Sequence, residues 1–446
     1  MYPNPQDALP LPSRPSVEQY KKLAKDLVKS CRSGDPAAIG IWASQWIEVL
    51  AAHQTEPDAL RDGTEIRARA NQVDQFARTT LSSGEGSSSR CVLADAQFVI
   101  ARVHGFLSWP KFVKHLESLA SASSPVSAFE AAAHAVVTGD VATLKGLLRE
   151  HPTLIRARST REHRATLLHY VAANGVENYR QVTPRNIATV TEILLAAGAD
   201  VNSEADVYGG GCTTLGLVAT SAPPAIAGVQ QEVIDVLLEH GARMDLPGTG
   251  GNQQPLVRAC LANGQPDAAE YVVSRGAPLD LPGAAGIGRI DVVKRFFNED
   301  GDLNANATKA QMVDGFSLAC AYGRADVVDF LLDRGIDVDA SLSDHGEGHT
   351  GLHVAAFHGH VDVVSALLRR GAGVDLIDKT WGTPPLIWAL TGWSRTPPGE
   401  AGPYHEVVSR LVAAGANVKH DLLDWDKVRA DPKMLAAVTG KSRTAG

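Results

Sequence analysis

Arg156, Arg158, Arg161 and Arg164 fall within nine residues, with His163 among them and Glu162 as the acid in the run. Guanidinium groups at that density bind a carboxylate or phosphate through paired hydrogen bonds. The plainer alternative is an exposed turn whose arginines pair with neighbouring acids. Further on, Tyr208, Gly209, Gly210, Gly211, Cys212, Thr213 and Thr214 precede a helix start, where backbone amides and the helix dipole favour an anion. Between the two runs stand His169, Tyr170, Asn174, Asn178, Tyr179, Arg180 and Gln181. Together these residues read as a candidate site for a small polar or anionic ligand.

An enzyme is the alternative, with Arg161, His163, Tyr179, Arg180 and Tyr208 orienting an anionic substrate while a histidine or carboxylate moves a proton in an elimination, isomerisation or hydrolysis. No nucleophile elbow, phosphate-binding loop, dinucleotide fingerprint or HExxH motif accompanies them, so no catalytic residue and no cofactor is assigned. His345 and His349, with Asp344 and Glu347, are spaced as a divalent cation needs, but no third rigid ligand follows and no metal site is assigned. Trp381, Trp388, Trp393 and Tyr404 cluster late in the chain, where covering a terminal core is the favoured role over anchoring a partner.

The elements that must position these residues come from repetition. A phrase of paired β-branched residues, paired leucines or equivalents and a glycine ahead of an acidic turn recurs seven times, at Gly198, Gly241, Gly276, Gly301, Gly335, Gly371 and Gly415. Successive glycines lie 43, 35, 25, 34, 36 and 44 residues apart, scattered about the period of about 33 that marks a β-turn plus two helices. Val327, Val328, Leu331 and Leu332 show the helical spacing of the apolar face, and each glycine suits the left-handed position after a helix end. Such a unit cannot bury its stripe alone, so neighbours must stack.

Residues ahead of the helices specify the kind of repeat. Thr350, Gly351, Leu352, His353, Val354, Ala355 and Ala356, followed by Gly359 and His360, resemble the ankyrin repeat, except that Gly351 stands where proline is usual. Thr166, Leu167, Leu168, His169 and Gly175 match less fully, Pro255 with Leu256 less again, and Thr213, Thr214 and Leu215 weakly. The resemblance implies an all-α fold, an ankyrin solenoid of about eight repeats with short β-turn fingers and a concave recognition face, following an N-terminal helical domain. It also implies that His169, His353 and His360 fix loops by hydrogen bonding.

Departures from the unit carry more functional information than the unit does. The second, third and eighth repeats gain about 7 to 11 residues between their helices, as GVENYRQVTPRNIA, SAPPAIAGVQQ and WSRTPPGEAGPYHE. The first two belong to adjacent repeats, so their loops are expected side by side, walling a pocket. In the fifth unit the finger is missing between LDLPG and AAGIGRIDVV.

Organisation follows: a flexible lead over 1–15 with five prolines, a helical N-terminal domain over 16–122, the repeats over 126–419 and a helical cap over 420–446. The pair LADAQFVIARVHG and SWPKFVKHLES has the size of a DNA-reading helix pair and also resembles a helical module ahead of repeats in bacterial ankyrin proteins. Its second helix offers only Lys111 and Lys114 to phosphate, and residues 126–446 carry 28 Lys or Arg against 37 Asp or Glu, so nucleic acid is excluded as a partner. A composition of 44% hydrophobic and 21% charged residues, with no long apolar run, excludes a membrane span, and the start lacks signal-peptide order, so a cytoplasmic bacterial protein is expected. Cys31, Cys91, Cys212, Cys260 and Cys320 show no CxxC pairing and read as reduced and mostly buried. The function expected is recognition of a protein partner or a small anionic molecule.

Overall fold

The computed structural model describes residues 3–12, 14–52, 63–82, 91–121, 123–246, 254–342, 348–397, 400, 402–419, 422–423 and 425–440. The chain divides into two compact units, Met1–Val272 and Val273–Gly446.

In the first unit, α1 (Val17–Arg32), α2 (Ala38–Ala52), α3 (Gly63–Ser82), α4 (Leu93–Val103) and α5 (Trp109–Leu119) close around Leu27, Trp46, Ile47, Val99, Ile100 and Phe112. Ser16 caps α1 by accepting from the Gln19 amide, and Gln19 reaches back to the Ser16 amide, the reciprocal arrangement that satisfies two free helix-end donors. The proline-rich lead is docked along residues 7–10. Leu9 donates its amide to Val103 O at 2.7 Å, Ala8 and Leu9 are buried, and Asp7 pairs with Arg69 at 3.2 Å. Apolar residues between the prolines gain burial there, which composition alone does not reveal.

Four helix pairs follow. They are α6 (Pro125–Thr138) with α7 (Val141–Glu150), a 3₁₀ turn (Leu167–Ala172) with α8 (Ile187–Ala196), α9 (Thr214–Ala219) and the short α10 (Ala222–Ile226) with α11 (Gln230–Glu239), and α12 (Leu256–Ala262) with α13 (Pro266–Ser274). A two-stranded antiparallel finger, Glu204–Ala205 against Cys212–Thr213, precedes α9 with Glu204 opposite Thr213.

The second unit repeats the plan: α14 (Leu281–Gly286) with α15 (Ile290–Val293), α16 (Lys309–Ala321) with α17 (Ala325–Asp333), α18 (Gly351–Phe357) with α19 (Val361–Arg369), and α20 (Pro385–Arg395) with α21 (Gly402–Ala413). The closing helices α22 (Asp426–Ala430) and α23 (Pro432–Val438) bury Val428, Met434 and Val438. Asp280 caps α14 directly by accepting from the Gly283 amide at 2.8 Å, which leaves no room for a finger ahead of that helix.

Local chemistry explains the repeats. All seven tagged glycines adopt φ between 84° and 98°, left-handed backbone that glycine adopts without Cβ strain; six follow helix ends, while Gly301 sits in the turn between Phe297 and Leu303, which form an antiparallel bridge. The Thr-x-x-His signature is a cap: the amide of Thr350 donates to His353 Nδ1 at 3.1 Å, and Thr166 and His169 repeat the bond at 3.1 Å. His353 Nε2 lies 3.2 Å from Thr383 O and His360 Nε2 lies 2.7 Å from Ala321 O, so each histidine ties one repeat to a neighbour.

Gly351 has a packing cause. A Cβ at this position would lie 2.9 Å from Cys320 Sγ and 3.0 Å from Phe316 Cε1 of α16, so the room a proline ring needs is already filled. Gly351→Ala is expected to cost about 1–3 kcal/mol through overpacking, measured as a shift in the urea midpoint. The same change in a Cys320→Ala background should cost much less, and equal costs in both backgrounds would refute the crowding argument.

Candidate functional site

The sequence-selected residues separate into a buried group and a dispersed group. Arg161, His163, Tyr170, Tyr179 and Arg180 converge where α6, the 3₁₀ turn and the second repeat's insert meet α4 and α5. Two acids absent from the sequence reading, Glu130 on α6 and Glu177 in the insert, complete the cluster. Arg161 Nη1 lies 3.0 Å from Glu130 Oε1 and 2.8 Å from Glu177 Oε1, and its Nη2 donates to Tyr179 Oη at 3.1 Å. Arg180 Nη2 lies 2.7 Å from Glu130 Oε2, and Tyr170 Oη donates to Glu177 Oε1 at 3.3 Å.

Local backbone geometry brings these groups inward. The second repeat's first helix is a short 3₁₀ helix, Leu167–Ala172, capped by Ala173 at φ 47°, and the chain then reverses so that Glu177 becomes fully buried. On the other side, Glu162 donates its amide to Gly105 O at 2.8 Å, and His115 Nδ1 lies 2.7 Å from Thr160 Oγ1, fastening the arginine segment to the N-terminal helices. Arg164, Ala173 and Tyr208 are the three non-glycine residues with positive φ among the described residues, and all belong to this region. Strained backbone of this kind persists only where surrounding structure enforces it.

The electrostatics are compensated. Burial pushes the Glu130 and Glu177 carboxyls up, but Arg161 and Arg180 outweigh it, and both end below the ordinary range, Glu177 well below. Burial alone would lower Arg161, yet its partners hold its guanidinium above the usual value. Tyr179, pushed up to about 12 by burial, is a neutral hydroxyl at physiological pH, so the two carboxylates are what fix that charge. Burial likewise depresses His115, to about 4, and it remains neutral.

Other candidates stand apart from this cluster. Arg158 donates to Arg164 O at 2.9 Å, to Glu204 O at 2.6 Å and to Ser203 Oγ at 2.9 Å, so it braces backbone, while Arg156 is exposed. Tyr208 Oη donates to Asn174 Oδ1 at 2.6 Å, and Asn174 Nδ2 donates to Thr220 Oγ1 at 3.2 Å. Gln181 Nε2 donates to Val176 O at 2.9 Å within its own loop, beside the half-buried Asn178. Thr213 caps α9, Thr214 is buried, and His169 is held by Thr166.

The glycine run corrects the anion-cradle expectation. Tyr208, Gly209, Gly210 and Gly211 are all left-handed, whereas an anion nest alternates hands, and the Gly210 amide is already donated to Val207 O at 2.9 Å. Ser221, at the start of the third repeat's insert, donates its Oγ to Ala173 O at 3.3 Å on the turn ahead of the second repeat's insert, and a groove of ≈ 380 Å³ beside the third repeat's insert is lined by Gln230, Gln231, Gln265 and Asp267, toward the fourth repeat.

Late in the chain, Trp393 is buried, Tyr404 Oη donates to Phe357 O at 3.0 Å, and Trp388 Nε1 donates to Asp378 Oδ2 at 3.2 Å. Trp381 departs from the core-packing expectation and is 65% exposed. Of the histidine and acid group around GEG, His349 is described and Asp344, His345 and Glu347 lie outside the described residues. The cysteine expectation is corrected too: Cys31 and Cys91 form a disulfide, whereas Cys212, Cys260 and Cys320 are free and buried. Among the described residues no helix is long and apolar enough to cross a membrane.

Residues 316–421 match the family of ankyrin repeats in three copies, so this stretch of the chain carries ankyrin repeats. Repeats of this kind stack into surfaces used for recognition. The ankyrin repeat domain of human ASB11 is similar at 20% identity over 64% of this chain and 98% of that one, with a TM-score of 0.32. No curated protein matches the sequence.

Proposed function

We propose that the protein is a recognition protein that binds a protein partner through the finger tips of its ankyrin repeats. The observation behind this reading is the tip ahead of α20, where Leu376, Ile377 and Trp381 are 40%, 55% and 65% exposed. Asp378 holds this tip rigid. Its Oδ1 accepts from the Thr380 and Trp381 amides at 2.9 and 2.6 Å, and its Oδ2 accepts from the Thr383 amide at 2.9 Å and hydroxyl at 2.8 Å. An apolar, pre-ordered tip loses little entropy on docking and supplies the aromatic anchor that dominates interface energies. The acidic balance of the repeats favours a partner with basic residues around its apolar pocket.

An anionic metabolite at the second and third repeats fits this reading less well, since Arg161 and Arg180 are already neutralised by Glu130 and Glu177. The same balance weighs against an enzyme built on an anionic substrate. The reading places the protein in the cytoplasm; the Cys31–Cys91 bond runs against that placement, because cytosolic thiols are held reduced.

A photo-crosslinking residue at position 377, introduced in the source cells, tests the proposal. One dominant protein adduct is expected from the cytosolic fraction, and Trp381→Ala should abolish it. Absence of an adduct, or one indifferent to Trp381→Ala, would overturn the finger-tip reading.

A further inference from the structure

The buried cluster of the first unit contains polar atoms that nothing around them satisfies. Arg161 Nε, Glu177 Oε2, His104 Nε2, His115 Nε2 and Tyr20 Oη are out of reach of solvent and lack a hydrogen-bond partner among the described residues. Natural interiors pair nearly all such atoms, so several in one neighbourhood point to a group that belongs there. The rings connect them. Arg161 stacks over Phe106 at 5.6 Å, Phe106 lies 5.3 Å from Phe112, and Phe112 lies 4.9 Å from Tyr20 and 5.1 Å from His104.

Hydrogen-bond roles define what would fit. His104 Nδ1 faces Leu9 O at 3.0 Å and so carries the ring proton, which leaves Nε2 an acceptor. Arg161 Nε–H and the Tyr20 hydroxyl are donors, and Glu177 Oε2 is an anionic acceptor. Two arginines and two glutamates cancel, so an ion of a single sign gains no net attraction. A molecule carrying both signs is complementary to the unpartnered guanidinium edge and the unpartnered carboxylate oxygen together.

We propose that this junction of the N-terminal helices with the first two repeats binds a small zwitterion of the amino-acid class. Its carboxylate accepts from Arg161 Nε–H, its ammonium donates to Glu177 Oε2, and its side chain lies against Phe106 and Phe112. Entry proceeds by movement of the insert that carries Glu177, Tyr179 and Arg180. That insert leaves the 3₁₀ turn at the strained Ala173, and its rim residues Glu130 and Arg180 retain 13% and 12% side-chain exposure. This site is separate from the finger tip, and either assignment can fail without the other.

The full chain, titrated with each of the proteinogenic amino acids by calorimetry and thermal shift, gives the test. Trp46, whose ring is 5.6 Å from that of His104, supplies a fluorescence readout. At least one amino acid is expected to give a saturable isotherm and a raised Tm, while its des-amino and decarboxylated analogues bind at least about tenfold more weakly, the loss of one charge-assisted hydrogen bond. Glu177→Gln should abolish binding. Because that change also perturbs the ion pair, Tyr20→Phe, which removes one unpartnered hydroxyl and leaves the charges in place, serves as a second variant and should weaken binding about threefold to tenfold. Silence across the whole panel, equal binding of the single-charge analogues, or unaltered binding in both variants would overturn the proposal.

Discussion

Glu177→Gln is expected to lower the unfolding free energy by about 3–5 kcal/mol, the cost of removing one partner from a buried ion pair. The size of the effect comes from what remains. Arg161 would keep its charge in a site where its side chain is 1% exposed, with Glu130 as its one remaining carboxylate partner. Joint replacement by apolar residues of similar volume, Arg161→Met with Glu177→Leu, should cost much less than either single change, because no buried charge is then orphaned. Arg164 provides the contrast. It is exposed and reaches Asp206 only at 4.0 Å, so Arg164→Ala should fall within about 0.5 kcal/mol of the parent. Urea midpoints of the parent, Glu177→Gln, Arg161→Met, Glu177→Leu, the double variant and Arg164→Ala decide the matter, and a Glu177→Gln midpoint equal to that of Arg164→Ala would show that the pair does not hold the insert in place.

Acid should weaken the same junction in two stages. His104, His115 and His169 are held neutral by burial, at about 3, 4 and 4, whereas an unfolded histidine titrates near 6.5. Between those values the unfolded chain binds more protons than the folded one, so stability falls as pH drops from about 6.5 to about 4. Glu130 and Glu177 have folded values below the unfolded value of about 4.3. Their contribution is complete above that pH and is lost as pH falls through the folded values. Tm should therefore decline from pH 7.5 to pH 5 before any carboxylate titrates, and a flat profile over that range would contradict the burial of the three histidines.

What the sequence made legible was whatever a local pattern encodes. Six of the seven tagged glycines mark a helix end, because the left-handed conformation depends on that residue and its neighbours alone; Gly301 keeps the conformation but sits in a turn between Phe297 and Leu303. His353 was legible as a loop-fixing residue through the resemblance to the ankyrin signature, whereas its capping of Thr350 came from the structure. Arg161, His163, Tyr179 and Arg180 were drawn together by type and proximity. Glu130 was not, because a single acid in the run AFEAAAHAVV reads as solvated surface until another element packs over it. Glu177 hid in the insert for a related reason: its burial depends on the reversal at Ala173, and nothing in an alanine signals a positive φ. Arg158 and the glycines after Tyr208 were over-read, since the carbonyls that engage them lie in the neighbouring finger or in their own turn.

Reduction of the Cys31–Cys91 bond is expected to cost about 4 kcal/mol, the loop-closure value for a crosslink spanning 60 residues. The bond joins the end of α1 to the segment ahead of α4 across a Cα separation of 6.0 Å, and closes a loop that contains α2 and α3. Sequence spacing cannot announce such a pair, because nothing local links the two positions; the packing of α1 against α4 brings them together, and Arg32 Nε donates to Cys91 O at 3.1 Å beside it. Dithiothreitol should lower the urea midpoint of the parent, while Cys31→Ser should start at the lower midpoint and ignore the reductant. Thiol labelling of the folded protein gives an independent reading. Burial pushes the Cys212 and Cys260 thiols up to about 12 and Cys320 higher still, so these three should resist alkylation and any rapid labelling must come from Cys31 or Cys91. Protein isolated from the source cells under acid quench should then show no fast-reacting thiol if the bond exists in place. Two fast-reacting thiols, together with a midpoint unmoved by dithiothreitol, would mean that α1 and α4 are held by packing alone.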